Sequence, residues 1–310
     1  MIVACYSPVK GFRTPHGVVF SELSRHEILG DIELPCGVCI GCRLRRAQEW
    51  EMRCMHEASL WRDNCFVTLT YGRDRLPAFG SLDHRDFQLF MKRVRKYSET
   101  PVRFYMSGEY GPQNSRPHYH SCLFNFNLND GVPAGKSDAG EVFFKSPTLD
   151  RLWGLGHASI QPLTRQTAGY CARYIMTKQL GQDDKSGLEY LDPETGEIHM
   201  KRPEYNAMSL RPGIGRGWFD KYHRDVFPAD RVVVDGREIK PPKRYYAWLA
   251  KLADVGPLPG RYTCGQALDA LEFRRQQRAA ASAPDNTDER RRVREVVQKA
   301  RVRNLQRGSL

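Results

Sequence analysis

Two histidines separated by one residue, His118 and His120, stand in the run Arg116-Pro-His-Tyr-His-Ser-Cys-Leu-Phe124. In an extended strand alternate side chains share a face, so both imidazoles project one way and Tyr119 the other. Spaced about 7 Å apart along the strand, they can share one divalent cation, each through a single ring nitrogen. Glu109 lies on the expected hairpin partner of that strand and can add an oxygen. A mixed histidine and carboxylate set with open positions suits Mg²⁺ or Mn²⁺ acting on a phosphate oxygen. Taken alone, the same spacing also describes two surface histidines on an ordinary strand, with Glu109 a solvated strand-end carboxylate.

A second group lies in Ala168-Gly-Tyr-Cys-Ala-Arg-Tyr-Ile-Met-Thr-Lys178. At about 100° per residue, Tyr170, Tyr174 and Lys178 fall in one narrow stripe of a helix. Ala168, Cys171, Ala172 and Ile175 cluster on another face, suited to packing on a sheet. A phenol with its usual pKa near ~10 is a poor nucleophile and needs a cation or base beside it, a part Lys178 can take. The plainer reading is a surface aromatic pair supporting the helix.

The third group is Cys36-x-x-Cys39-x-x-Cys42. Thiolates at this spacing suit a structural Zn²⁺, with Cys5, Cys54 or His56 open as the fourth ligand. An iron–sulfur cluster uses similar spacing, and three free thiols are the plain alternative. The chain has nine cysteines, an odd number, and no signal-peptide core over Met1–Arg13, which argues against a disulfide framework.

These groups need elements to hold them. Phe66–Tyr71, Val102–Tyr110, His118–Phe124 and His157–Leu163 read as strands, the middle two forming an antiparallel hairpin through the turn-rich Gly111–Pro117 connector. Helices are expected from Leu44 to Trp61, over Asp83–Tyr97 with Phe87, Phe90, Val94 and Tyr97 on one face, and over Thr164–Leu180. The order α, β, α, β, β, β, α predicts an α+β fold, an antiparallel β-sheet with packed helices on one side. Residues 1–35 read as short strands and loops, and Gly181–Glu204 as a polar insertion or hairpin. A glycine-rich basic loop spans Arg211–Gly217, a linker Ala279–Thr287, and an arginine-rich helical tail Glu289–Arg307. The expected division is a cysteine-rich segment and helix over 1–62, a catalytic core over 63–225, and a basic C-terminal region over 226–310.

Composition narrows the function. The 310 residues carry 48 Lys+Arg against 36 Asp+Glu, a formal charge of +12, and the pI is near 9.3. Such a surplus favours a polyanionic partner, because each neutralised phosphate releases counterions. No apolar run reaches the ~18 residues of a membrane span, and no basic amphipathic helix carries a bulky apolar face. A cytoplasmic DNA-binding protein without membrane contact is expected, with Arg116, Arg173, Arg211 and Arg216 as its DNA contacts.

A His-x-His strand followed by a Tyr-x-x-x-Tyr helix, after a Phe-Val-Thr-Leu-Thr-Tyr strand, resembles the HUH endonuclease superfamily. More narrowly, the chain resembles the rolling-circle replication initiators of gokushovirus-type bacteriophages (Microviridae). The likeness includes Cys36–Arg43, Ser107-Gly-Glu-Tyr-Gly111 and Arg211-Pro-Gly-Ile-Gly-Arg216, and covers roughly residues 36–222. It implies a Rep-like fold with His118 and His120 as metal ligands and Glu109 as the acidic third. Tyr170 and Tyr174 are the implied nucleophiles, with Lys178 the basic residue beside them. The implied reaction cuts one DNA strand at an origin, leaves a 5′-phosphotyrosine and a free 3′-hydroxyl, and rejoins the strand by reversal. Its setting is the host bacterial cytoplasm.

Gly131-Val-Pro-Ala-Gly-Lys-Ser137 resembles a phosphate-binding loop but has one residue too few between its glycines. Unwinding and synthesis would then fall to a host helicase and polymerase. Rival readings are a relaxase or transposase of the same chemistry, and a non-catalytic, zinc-containing DNA-binding protein. The latter accounts for the charge and cysteines but not for histidines and tyrosines together.

Overall fold

A computed structural model describes residues 5–21, 27–111, 114–137, 140–178, 188–193, 195–227, 229–253 and 264–307. The chain opens with strands β1 (Val9–Thr14), β2 (Gly17–Val19) and β3 (Gly30–Leu34), then helix α1 (Ile40–Ala58). Next come β4 (Asn64–Tyr71), α2 (His84–Tyr97), β5 (Arg103–Tyr110), β6 (Pro117–Phe124), β7 (Val132–Lys136), β8 (Val142–Lys145), α3 (Pro147–Trp153), β9 (Gly156–Pro162) and α4 (Arg165–Lys178). Then follow β10 (Glu189–Leu191), β11 (Ile198–Met200), β12 (Tyr205–Met208), α5 (Arg216–Val226), β13 (Val232–Val234), β14 (Arg237–Ile239), α6 (Lys243–Ala253), α7 (Cys264–Ser282) and α8 (Asp288–Arg307). Contacts divide the chain into two compact units, Met1–Arg46 with Leu258–Leu310, and Ala47–Pro257.

The larger unit is built on a seven-stranded antiparallel sheet in the order β12-β5-β6-β4-β9-β8-β7. All four strands expected in the core sit together at its centre, so the α+β class holds. Side chains alternate between two faces, and each face has its own core. Val67, Leu69 and Tyr71 of β4 and Tyr119 and Leu123 of β6 pack with Phe87, Phe90, Met91 and Val94 of α2 and Leu149 and Trp153 of α3. The intervening residues Phe66, Tyr105, Cys122 and Phe124 pack with Ala47, Cys54 and Ala58 of α1 and Ala168, Cys171 and Ala172 of α4. Helices therefore cover both faces, not one as expected. The central strands carry apolar residues at successive positions, and such a strand must be buried on both sides.

Local chemistry sets the helix ends. Asp83 caps α2 by accepting from the Arg85 amide at 2.9 Å, and Ser146 caps α3 by accepting from the Leu149 amide at 3.0 Å. Gly154 stops α3 in the left-handed conformation at φ 70°. On α2 the buried set is Phe87, Phe90, Met91 and Val94, whereas Tyr97, expected on that face, is exposed. It is the last residue of the helix, where the chain leaves the sheet.

Several expectations from weaker patterns are refined. The polar stretch after residue 181 forms the β10–β11 hairpin over its described residues. The expected linker over Ala279–Thr287 is mostly helical, since α7 continues to Ser282 and a short 3₁₀ turn covers Ala283–Asp285. The alanines there favour helix over linker. Gly131–Ser137 is occupied by β7 and does not form a strand–loop–helix phosphate cradle. Among the described residues, no helix is long and apolar enough to cross a membrane.

In the smaller unit β2, β1 and β3 form an antiparallel sheet. Arg291 of α8 is buried and donates to both carboxylate oxygens of Glu33 on β3.

Phe90 is fully buried, so Phe90→Ala should destabilise the larger unit by about 3–5 kcal/mol. Tyr97→Ala should change stability by no more than about 0.5 kcal/mol. Urea unfolding of both variants checks the pair, and equal losses would contradict the packing of α2.

Candidate functional site

Strand register assembles the polar side chains. It pairs Glu109 with His118, His118 with Thr70, and Thr70 with His157, a row across β5, β6, β4 and β9. The next row is Ser107, His120, Thr68 and Ser159. Residues directly opposite one another share a face. Both rows therefore lie on the α1 and α4 side, beyond the apolar patch of Phe66, Tyr105 and Cys122.

The three predicted ligands converge. The Nε2 atoms of His118 and His120 each lie 3.8 Å from Glu109 Oε2, and the three donor atoms all lie within 4.8 Å of one another. The imidazoles stand edge to face, with ring centroids 4.9 Å apart. Glu109 is wholly buried, and its other oxygen accepts a short hydrogen bond from Ser107 Oγ. His118 Nδ1 donates to the Arg116 carbonyl at 3.2 Å, which leaves Nε2 as its lone-pair nitrogen. His120 Nδ1 is bonded to Thr68 Oγ1 at 2.9 Å, turning its Nε2 inward in the same way. Burial, reinforced by neighbouring His118, holds His120 well below the usual imidazole pKa, in the neutral form a ligand needs. A buried carboxylate and two inward-facing imidazole nitrogens fit a divalent cation as a donor set.

Helix α4 brings Tyr170 to this cluster. Its ring meets His120 edge to face at 5.0 Å, while the residue is 41% exposed. The neighbouring Cys171 points the other way, into the core, with Sγ 3.4 Å from Ser107 Oγ and 3.7 Å from the His120 carbonyl oxygen. Gly169 lets α4 come this close, since a β-carbon there would stand 2.9 Å from Glu51 Oε2 of α1. Tyr174 and Lys178 lie further along α4, and their side chains fall outside the described residues.

Two open clefts adjoin these elements. One, of about 500 Å³, runs from His118 past Thr70 and His157 to Arg116, Arg73 and Gly72. The other, of about 590 Å³, is lined by Trp50, Arg53, Pro212, Arg216, Arg244 and Trp248. Of the expected DNA contacts, Arg116 therefore lies beside the histidines, and Arg173 is exposed on α4. Arg211 is exposed at the glycine-rich turn. Arg216 is bonded to Asp220 at 2.7 Å and lies over the rings of Phe219 and Trp248.

The cysteine cluster gains a member. Cys5 Sγ lies 3.6 Å from Cys36 Sγ and 3.9 Å from Cys39 Sγ, and Cys36 lies 4.0 Å from Cys42. The other two open candidates are elsewhere. Cys54 is in the core under α1, and His56 bonds Tyr245 at 2.8 Å and stacks on Trp218.

Over residues 64–180, from β4 through α4, the chain matches the family of replication-associated proteins ORF2. It is 32% identical over 257 residues to replication-associated protein VP4 of Bdellovibrio phage phiMH2K, a match covering 80% of this chain and 77% of that one. The chain belongs to the Microviridae-type phage replication-associated proteins. It is also 33% identical over 223 residues to replication-associated protein ORF2 of Spiroplasma virus 4, covering 69% of this chain and 65% of that one. With replication-associated protein ORF4 of Chlamydia phage 1 it shares 25% identity over 227 residues, 71% and 54% of the two chains. No solved structure matches.

Sequence reasoning missed the residues that orient the ligands. Thr68 and Thr70 alternate with apolar neighbours in β4, a visible sign of a polar face. Ser107 stands two residues before Glu109, on the same face by parity. The partner of each hydroxyl depends on strand order, which no local pattern carries.

Thr68→Val keeps the shape of the side chain and removes the hydroxyl that holds His120. It should weaken Mn²⁺ binding at the triad by about 10–100-fold, read by titration of free Mn²⁺. Undiminished affinity would show that the hydroxyl does not orient the ligand.

Proposed function

We propose that this replication-associated protein is a metal-dependent endonuclease of the HUH type. It nicks single-stranded DNA at a phage origin through a tyrosine nucleophile, starts rolling-circle replication, and rejoins the strand. The observation that carries this reading is the approach of Tyr170, on α4, to the buried Glu109–His118–His120 cluster. A plain pair of surface histidines needs neither a buried carboxylate between them nor an exposed phenol against one of them.

In this reading Glu109, His118 and His120 hold Mg²⁺ or Mn²⁺, which supplies Lewis acidity to a phosphate oxygen when bound. The Tyr170 hydroxyl attacks the scissile phosphorus. The new phenolic O–P bond replaces the P–O3′ bond, the phenol proton passes to solvent at this exposed edge, and the departing 3′ oxygen takes up a proton. The product is a 5′-phosphotyrosine with a free 3′-hydroxyl, and attack by a 3′-hydroxyl restores the strand. Tyr174, one helical turn along, serves as the second nucleophile, and Lys178 as the base or cation that eases loss of the phenol proton.

DNA binding is assigned to the cationic lining of the two clefts. Arg116 and Arg173, with Arg73 and His157, would meet phosphates near the cut. Arg211 and Arg216 stand by the cleft of Trp50 and Trp248, where aromatic and guanidinium groups together suit a single strand. A host helicase and polymerase would complete the machinery in the bacterial cytoplasm.

The His118→Ala/His120→Ala double variant should lose Mg²⁺- or Mn²⁺-dependent nicking of labelled single-stranded DNA, to the level seen with chelator. DNA affinity should fall by less than about tenfold, since phosphate contacts dominate it. Full nicking by a folded double variant would sink the proposed metal site.

Covalent trapping separates the tyrosines. Tyr170→Phe and Tyr174→Phe should each still form a protein–DNA adduct through the other tyrosine, and the double variant none. Loss of all adduct in one single variant would leave that tyrosine as the sole nucleophile.

A further inference from the structure

We infer that Cys5, Cys36, Cys39 and Cys42 form a tetrathiolate zinc site that organises the smaller unit and takes no part in nicking. Four thiolates around one Zn²⁺ at about 2.3 Å stand about 3.8 Å apart if tetrahedral. The sulfur separations here are 3.6, 3.9 and 4.0 Å, and all four atoms lie within 4.8 Å of one another.

The surroundings suit bound, charged sulfur. Backbone amides point at three of the four thiols: Cys36 N to Cys5 Sγ at 3.3 Å, Cys39 N to Cys36 Sγ at 3.3 Å, and Tyr6 N to Cys39 Sγ at 3.4 Å. Cys42 N also reaches Cys39 Sγ, at 3.5 Å. The fourth thiol, Cys42, has the Arg45 guanidinium 3.6 Å away. Such donors spread the surplus negative charge of four thiolates on a dication. Disulfides are the chemical rival, but a bridge joins sulfurs in pairs and needs no common centre. A cluster of several irons seats its thiolates on different metal atoms, which spaces them more widely than these four.

Cys5 precedes β1, Cys36 follows β3, and Cys39 and Cys42 lie at the start of α1. One ion would therefore close a long loop and clamp both ends of the three-stranded sheet to a helix. That sheet is small, and its outer strand β2 has three residues. A unit of this size draws much of its stability from such a staple.

Elemental analysis of full-length protein, purified without chelator, should find about one zinc per chain. The His118→Ala/His120→Ala variant should keep it. Titration of native wild-type protein with an organomercurial should release that zinc as about four thiols react, a result independent of whether any variant folds. Cys5→Ser should lower retained zinc at least tenfold after dialysis against a mild chelator, and the Co²⁺-substituted protein should lose its tetrathiolate charge-transfer band. Zinc-free protein with four titratable thiols, disulfides among these four cysteines, or iron in place of zinc would each overturn the assignment. Zinc retained in full by Cys5→Ser would remove Cys5 from it.

Discussion

Glu109 is wholly buried, with Nε2 of His118 and of His120 each 3.8 Å from its Oε2. Taking a carboxylate out of water costs several kcal/mol, on the order of what one strand pairing contributes, unless opposing charge or hydrogen bonds compensate it. That cost is tolerable only while β5 and β6 hold the register that pairs Glu109 with His118 and Ser107 with His120. A slip of one residue would turn every side chain of a strand to the other face. It would set the two imidazoles among Leu69, Phe87 and Trp153 and bring Tyr119 out. The apolar alternation of β4 and β6 thus protects the polar cluster, because the core rejects every register but one.

The same alternation explains why the site lies at a boundary. On the α1 and α4 face, strand residues are apolar at Phe66, Cys122 and Tyr105 and polar at Thr68, Thr70, His118 and His120. Helix α4 crosses that change. Ala168, Cys171 and Ala172 are fully buried against the apolar part, while Tyr170 is exposed beside His120. Small residues on the buried side let the helix lie close, and Gly169 removes the one side-chain atom that would strike Glu51. The position of the phenol is thus set by packing of residues that do no chemistry, an arrangement suited to holding a reactive group in place.

Much of this was legible in advance. The period-two pattern of His118 and His120 fixed their common face, and hairpin formation by Val102–Tyr110 and His118–Phe124 brought Glu109 opposite. The helical period placed Tyr170 away from Cys171 and Ala172. Longer-range consequences were not legible. That helices cover both faces depends on α1 and α2 arriving from opposite sides of β4, and β12 joins the sheet beside β5 from nearly a hundred residues downstream. Likewise Cys5 was one of three open fourth ligands, because spacing ranks near neighbours and is silent about a segment 31 residues upstream. Sequence spacing speaks for chemistry within an element, and tertiary pairing decides chemistry between elements.

The charge surplus needs the same distinction. A formal +12 invites every arginine to be counted as a phosphate contact, yet many are already committed. Arg291 is buried in the smaller unit with Glu33 and Asp288, Arg165 bridges Glu51 and Asp235, and Arg103 pairs with buried Glu57 at 2.8 Å. Arg93 donates to the carbonyls of Leu152 and Trp153 and ties α2 to α3. These guanidiniums hold elements together through directed donors that lysine cannot reproduce. The cations left to recognise a polyanion are then fewer than the net charge suggests, and they lie where α4 and the two clefts meet solvent. Composition argues for the class of partner, and only the side chains not already bonded within the fold decide where that partner binds.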